Sequence, residues 1–90
     1  MAQHATTFHV RCATPHGVLF DAPADLVVLP AQGGEMGVLA YHMPMVVALT
    51  AGTVRVGTSA IEIAGGFAHI NTHAQECRVE MMVLEPPATA

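Results

Sequence analysis

Six histidines, six methionines, two cysteines and one serine are the side chains of this 90-residue sequence with the most chemistry to offer. His42-Met43-Pro44-Met45 is the densest group, and its soft ligands suit Cu(I) or Zn(II). A small β-sandwich holding Cys, His and Met would suggest blue copper. That site needs a histidine between the cysteine and the methionine near the C-terminus, and Cys77-Arg78-Val79-Glu80-Met81 supplies none. His4, His9, His16, His69 and His73 are scattered, without the tight pairing of a zinc site. They read equally as solvated strand and turn residues, with methionine as core filler. Nucleophilic catalysis has little material. Ser59 sits in the turn-like Gly57-Thr58-Ser59 with no G-x-S-x-G around it. Cys12 and Cys77 both fall on the apolar phase of their segments, where a thiol stays inert. The carboxylates are too dispersed for an acid–base pair. Glu35, in GGEMGVLAYHMPMV (33–46), reads as a solvated turn residue or as an interface residue beside a glycine turn.

The elements that must hold these residues are short. Glycine and proline punctuate the chain every 8–12 residues, the spacing of an all-β protein. TFHVRCA, TVRVG, AIEIA and ECRVEMMVLE alternate apolar with polar positions, which puts one face on a core and the other in water. LVVLP (26–30) and MVVAL (45–49) are continuous apolar runs, expected as strands covered on both sides. Turns are expected at Thr14-Pro15-His16-Gly17, Gln32-Gly33-Gly34, Ala51-Gly52 and Gly65-Gly66. Two packed antiparallel sheets are the simplest arrangement, with one domain over 1–85 and a Pro-containing tail over 86–90.

Composition narrows the function. Apolar residues make up 52% of the chain and charged ones 11%, which argues against disorder. The net charge is −4 and lysine is absent, so neither a run of phosphates nor a Walker-type loop is served. Nucleic acid is therefore excluded as a partner. No stretch reaches the roughly 18 apolar residues of a membrane span, so no direct membrane insertion is expected. MAQHATTFHV lacks the basic start and apolar middle of a signal peptide, which makes a cytoplasmic location the expectation.

The order of motifs adds what spacing alone does not. Gly34-Glu35-Met36-Gly37-Val38-Leu39 comes first, then His42-x-Pro44. Leu49-x-x-Gly52-x-Val54-Arg55-Val56 and Ile63-Ala64-Gly65-Gly66-Phe67-Ala68 follow. This series resembles the epsilon subunit of bacterial F1Fo ATP synthase (delta in mitochondria), whose pattern is G-E-[LM]-G-[IV]-x-x-x-H-x-P, G-x-[IV]-R-[IV] and S-G-G-F. Phe8-His9-Val10 and Gly17-Val18-Leu19-Phe20 match the family's first two strands, so the resemblance covers residues 7 to about 84.

The resemblance implies a flattened ten-stranded β-sandwich of two antiparallel sheets. It also implies a non-catalytic rotor subunit with no cofactor, joining the gamma subunit to the c-ring and coupling ion-driven rotation to catalysis in other subunits. Such a subunit lies peripherally on the cytoplasmic face of the inner membrane, as part of the F1 sector. By the same resemblance Glu35, Met36 and Gly37 approach the c-ring, while His42, Thr14 and Val47 lie toward gamma. The chain departs from the pattern in three places. Ala40-Tyr41 replaces the Pro-Gly that often precedes the histidine, and Gly33 replaces an acidic residue, which lowers the negative charge at the ring contact. The C-terminal helical hairpin of family members, inhibitory in some and ATP-binding in others, does not follow Leu84 here. The competing expectation, from another class, is a free-standing small-ligand or soft-metal-binding sandwich built on the His/Met cluster.

Overall fold

Period-two alternation becomes strand pairing in a computed structural model that describes residues 7–39, 44–73 and 76–86. Among these residues there are nine strands and no helix. They are β1 (Phe8–Thr14), β2 (Gly17–Ala24), β3 (Val27–Ala31), β4 (Gly34–Val38), β5 (Met45–Leu49), β6 (Gly52–Val56), β7 (Ser59–Ile63), β8 (Gly65–His73) and β9 (Glu76–Leu84). The turns between them follow local chemistry. Between β1 and β2, the Thr14 hydroxyl accepts the His16 N–H at 3.0 Å and donates to the Gly17 carbonyl at 3.3 Å. This arrangement satisfies a buried polar side chain at the turn. Between β6 and β7, Gly57 takes the positive φ of +58° that a two-residue hairpin demands.

Hydrogen bonding runs in the order β2-β1-β9-β8-β5-β3-β6-β7, with β4 paired to β3. The sheet folds over at β3. This strand meets β5 only at Ala31–Leu49, and meets β6 at Val27–Val56 and Val28–Arg55. At the corner the Thr50 N–H donates to the Pro30 carbonyl at 2.8 Å, and the Gln32 N–H donates to the Ala48 carbonyl at 3.3 Å. One layer holds β2, β1, β9, β8 and β5, and the other holds β3, β4, β6 and β7. Their inner faces close on Val10, Leu29, Val54, Ile70 and Val79, all fully buried. Aliphatic β-branched residues fill this core because they pack well on a pleated surface.

The all-β sandwich agrees with expectation, and several details differ. Nine strands rather than ten are formed among the described residues, and the two layers are one continuous curled sheet. The pairing is not wholly antiparallel, because β1 and β9 run parallel, from His9–Arg78 to Ala13–Met82. Nearly the whole chain separates these two strands, which removes the short-connection constraint that favours antiparallel neighbours. MVVAL is covered on one side only: Val47 and Leu49 are buried, whereas Val46 stands in solvent.

Gly65-Gly66 is the clearest correction. The pair is not a turn but the start of β8, opposite Leu84 and Val83 of β9. Both residues hold positive φ, +141° and +145°. A Cβ on Gly66 would fall onto the Met82 carbonyl oxygen and 2.7 Å from the Val83 Cα. Glycine is needed there because one backbone crosses closely over another.

Candidate functional site

The residues expected at the ring contact lie together on β4. Glu35 is opposite Pro30, Met36 opposite Leu29 and Gly37 opposite Val28. Alternation then separates their roles. Met36 packs partly buried against the core, while Glu35 and Gly37 face outward. Gly33 and Gly34, with φ of +94° and +138°, form the turn that carries the chain from β3 into β4. Among the described residues β4 pairs with β3 alone, so its far edge is open, and no cation pairs with Glu35. Leu26 and Leu39 are exposed beside the strand. A carboxylate, two glycines that allow close backbone approach and two exposed leucines make a rim suited to docking against another protein.

The residues expected toward gamma are not gathered in the same way. His42 lies outside the described residues, as do His4 and Met43. Thr14 ends β1 at 5% exposure and Val47 sits in β5 at 7%. Two strands, β9 and β8, lie between β1 and β5, so the pair is separated across the sheet by roughly 14 Å at about 4.8 Å per strand. Both side chains point into the core. What stands outside at these positions is Pro15 and His16 at one end and Met45 and Val46 at the other.

The outer face of the β2-β1-β9-β8-β5 layer holds features that pattern reading caught only in part. Val46, Phe67, Met82 and Leu84 are 65%, 62%, 57% and 57% exposed. Val46, Phe67 and Met82 stand around a shallow groove of about 360 Å³, which Arg11, His69 and Glu80 also line. The exposure of Met82 and Leu84 makes the outer face at the end of β9 surface, while Val83 between them lies in the core. Phe67 was hidden by the reading of Gly65-Gly66 as a turn, because a strand there would have put Phe67 on the same face as Met82.

The remaining chemistry is quiet. Cys12 and Cys77 are buried free thiols, and desolvation pushes both above the ordinary thiol value. His9 Nε2 contacts the Asp21 carboxylate on the surface. Ser59 is the exposed first residue of β7, directly after the Gly57-Thr58 turn. Among the described residues no group of three or more His, Cys, Asp or Glu is placed to hold a metal ion, and no helix is long and apolar enough to cross a membrane.

Comparison with known proteins matches this geometry. The family model for the ATP synthase delta/epsilon chain β-sandwich domain matches residues 7–84. The ATP synthase epsilon chain of Nostoc sp. (strain PCC 7120) is 41% identical over 70 residues, covering 71% of this chain and 51% of its own length. That of Latilactobacillus sakei is 35% identical over 78 residues, covering 79% and 54%. The chain thus spans about half the length of the curated relatives it matches. Among solved structures, a chain of the Euglena gracilis mitochondrial ATP synthase superposes with a TM-score of 0.77 at 24% identity, covering 93% of this chain and 54% of that one. A chain from the central stalk and c-ring of the Tetrahymena thermophila enzyme gives 0.71 at 16%, covering 93% and 67%. At those identities the superpositions speak for the fold alone. The family match and the bacterial relatives carry the rest: the chain belongs to the ATP synthase delta/epsilon family and contains its β-sandwich domain.

Proposed function

We propose that this chain is a non-catalytic central-stalk subunit of a rotary ATP synthase, joining gamma to the c-ring so that ion-driven rotation reaches catalytic sites in other subunits. The observation that carries the reading is the family match over residues 7–84, and β4 supplies a physical means. Its edge, open among the described residues, and outward Glu35 offer a carboxylate to basic groups of the ring loops, with Gly34 and Gly37 allowing close approach. Met36, anchored on the core, holds that edge in place. The gamma contact is assigned to His42 and to the neighbourhoods of Thr14 and Val47. Thr14 and Val47 are buried, so they would act by fixing the exposed residues next to them. The solved neighbours with the same fold are chains of an OSCP/F1/c-ring assembly and of a central stalk with c-ring, and this chain is proposed for the same place. The subunit would sit peripherally, with F1, on the cytoplasmic face of the membrane.

Size-exclusion chromatography of the chain with its cognate gamma subunit tests this reading. Wild type and Glu35→Ala should both co-elute with gamma, while Glu35→Ala should lose affinity for the isolated c-ring. A wild-type chain that fails to bind folded gamma would overturn the stalk role, and titration with Cu(I) and Zn(II) would then test the His/Met alternative.

A further inference from the structure

The outer face of β2, β1, β9 and β8 is arranged in rows that complement themselves under a two-fold rotation. Strand register defines the rows. Val18, Ala13, Met82 and Phe67 lie side by side across the four strands, and Asp21, Arg11, Glu80 and His69 form the row below. Consider a two-fold axis lying against this face, parallel to the strands and midway between β1 and β9. It sets β1 of one copy over β9 of the other, and β2 over β8, with each row over itself. Arg11 then faces Glu80 of the second copy twice over, and Asp21 faces His69. In the apolar row the small Ala13 meets the long Met82, and Val18 meets Phe67. A rotation about any other strand boundary loses the Arg–Glu match.

Arg11 and Glu80 are register neighbours in one chain, yet they form no ion pair there; among the described residues the ion pair on this face is His9–Asp21. Both side chains are exposed and their charges remain available to a partner. Aligned packing of two twisted sheets, with mean strand directions within about 30°, suits an axis along the strands.

We propose that this face is an isologous interface through which two copies of the free chain associate. The third row, Pro23, His9, Arg78 and Asn71, adds no opposite charges. Four strands about 4.8 Å apart and three rows about 6.7 Å apart cover roughly 400 Å² of plane. A standard interface buries about 800 Å² per partner, so this dimer belongs to the weak class.

Sedimentation equilibrium from 10 µM to 1 mM, with circular dichroism to confirm folding, tests the proposal. Wild type should move from monomer to dimer across this range. Arg11→Glu sets Glu against Glu and Glu80→Arg sets Arg against Arg, so each alone should weaken self-association at least tenfold. An equimolar mixture of the two should recover it to within about threefold, because each then faces its opposite. A wild-type chain monomeric at 1 mM would overturn the proposal and leave the face to a different protein. Single variants that dimerise like wild type, or a mixture that stays monomeric, would refute the pairing. If either charge variant fails to fold, Phe67→Gln at its exposed position takes its place. At least a fivefold weakening is expected of it, and an unchanged dimer would overturn the inference.

Discussion

Replacing Gly66 with alanine should unfold this domain more readily than any other single methyl added to a glycine. Two effects combine. A φ of +145° disfavours any residue with a Cβ, by about 1–2 kcal/mol. The new methyl also lands on the Met82 carbonyl oxygen and 2.7 Å from the Val83 Cα. Both are backbone atoms of the neighbouring β9, so no side chain can swing aside. Strand separation at that point forfeits at least one ladder hydrogen bond, worth about 1 kcal/mol, and loosens Val83 in the core. Together the loss is about 3 kcal/mol, a large share of the roughly 5–13 kcal/mol expected for 90 residues. For a domain of this size it lowers Tm by about 12–24 °C. Gly17→Ala is the matched control. Gly17 has nearly the same φ, +147°, but a Cβ there meets nothing within 4 Å. It should lose only the conformational part, about 1–2 kcal/mol. Urea denaturation followed by circular dichroism measures both. If the two variants lie within about 0.5 kcal/mol of each other, the close approach of β8 to β9 is not what selects glycine.

Three other outcomes are expected. Leu29→Ala empties a fully buried position of β3 and should lower stability by about 2–5 kcal/mol in the same urea assay. Cys12 and Cys77 should react with a thiol reagent far more slowly in the folded chain than in urea. Burial raises both thiols, so the stability it confers is complete below the unfolded thiol's pKa of about 8.5 and falls as pH climbs from there through the folded value; urea titrations between pH 7 and 10 read it. Glu35→Ala, at an exposed position with no ion-pair partner among the described residues, should leave the unfolding free energy from urea titration within about 0.5 kcal/mol of wild type. A larger loss would mean that Glu35 serves the fold rather than a contact.

Strands with one wet face were legible in the sequence, because Phe8, Val10 and Cys12 or Val54 and Val56 alternate with polar residues. The continuous run Met45–Leu49 was legible as a strand but not in its sidedness, since Val46 is equally apolar whether it meets a second layer or solvent. Gly65-Gly66 misled for a physical reason. Glycine marks both tight turns and close backbone crossings, and only the opposing strand distinguishes them. The parallel meeting of β1 with β9 had no local signal, because it joins residues nearly seventy positions apart. At the candidate site, Glu35 beside glycines could be read as a surface residue, but its assignment to a partner came from the order of motifs. Thr14 illustrates the converse. Its turn was expected and is formed, and that same turn absorbs the hydroxyl that would otherwise be free to bind.

The scarcity of charge gives the few charged residues unusual weight. The chain has three arginines and no lysine, and Arg11, Arg55 and Arg78 all stand on outer faces. With net charge −4 spread thinly, long-range steering is weak, so specificity must come from shape and from individual pairs at close range. Apolar rows set how much area two surfaces share, while a single charge decides which register they adopt. On the β2-β1-β9-β8 face the proposed charge is Arg11, and on β4 it is Glu35. Reversing either one is expected to alter partner choice without touching the core, because the interior is built from the opposite phase of the same strands. Alternation thus lets one short sheet keep its fold and its contacts on independent residues, and Gly66, where two backbones nearly touch, is a place where a surface change becomes a folding change.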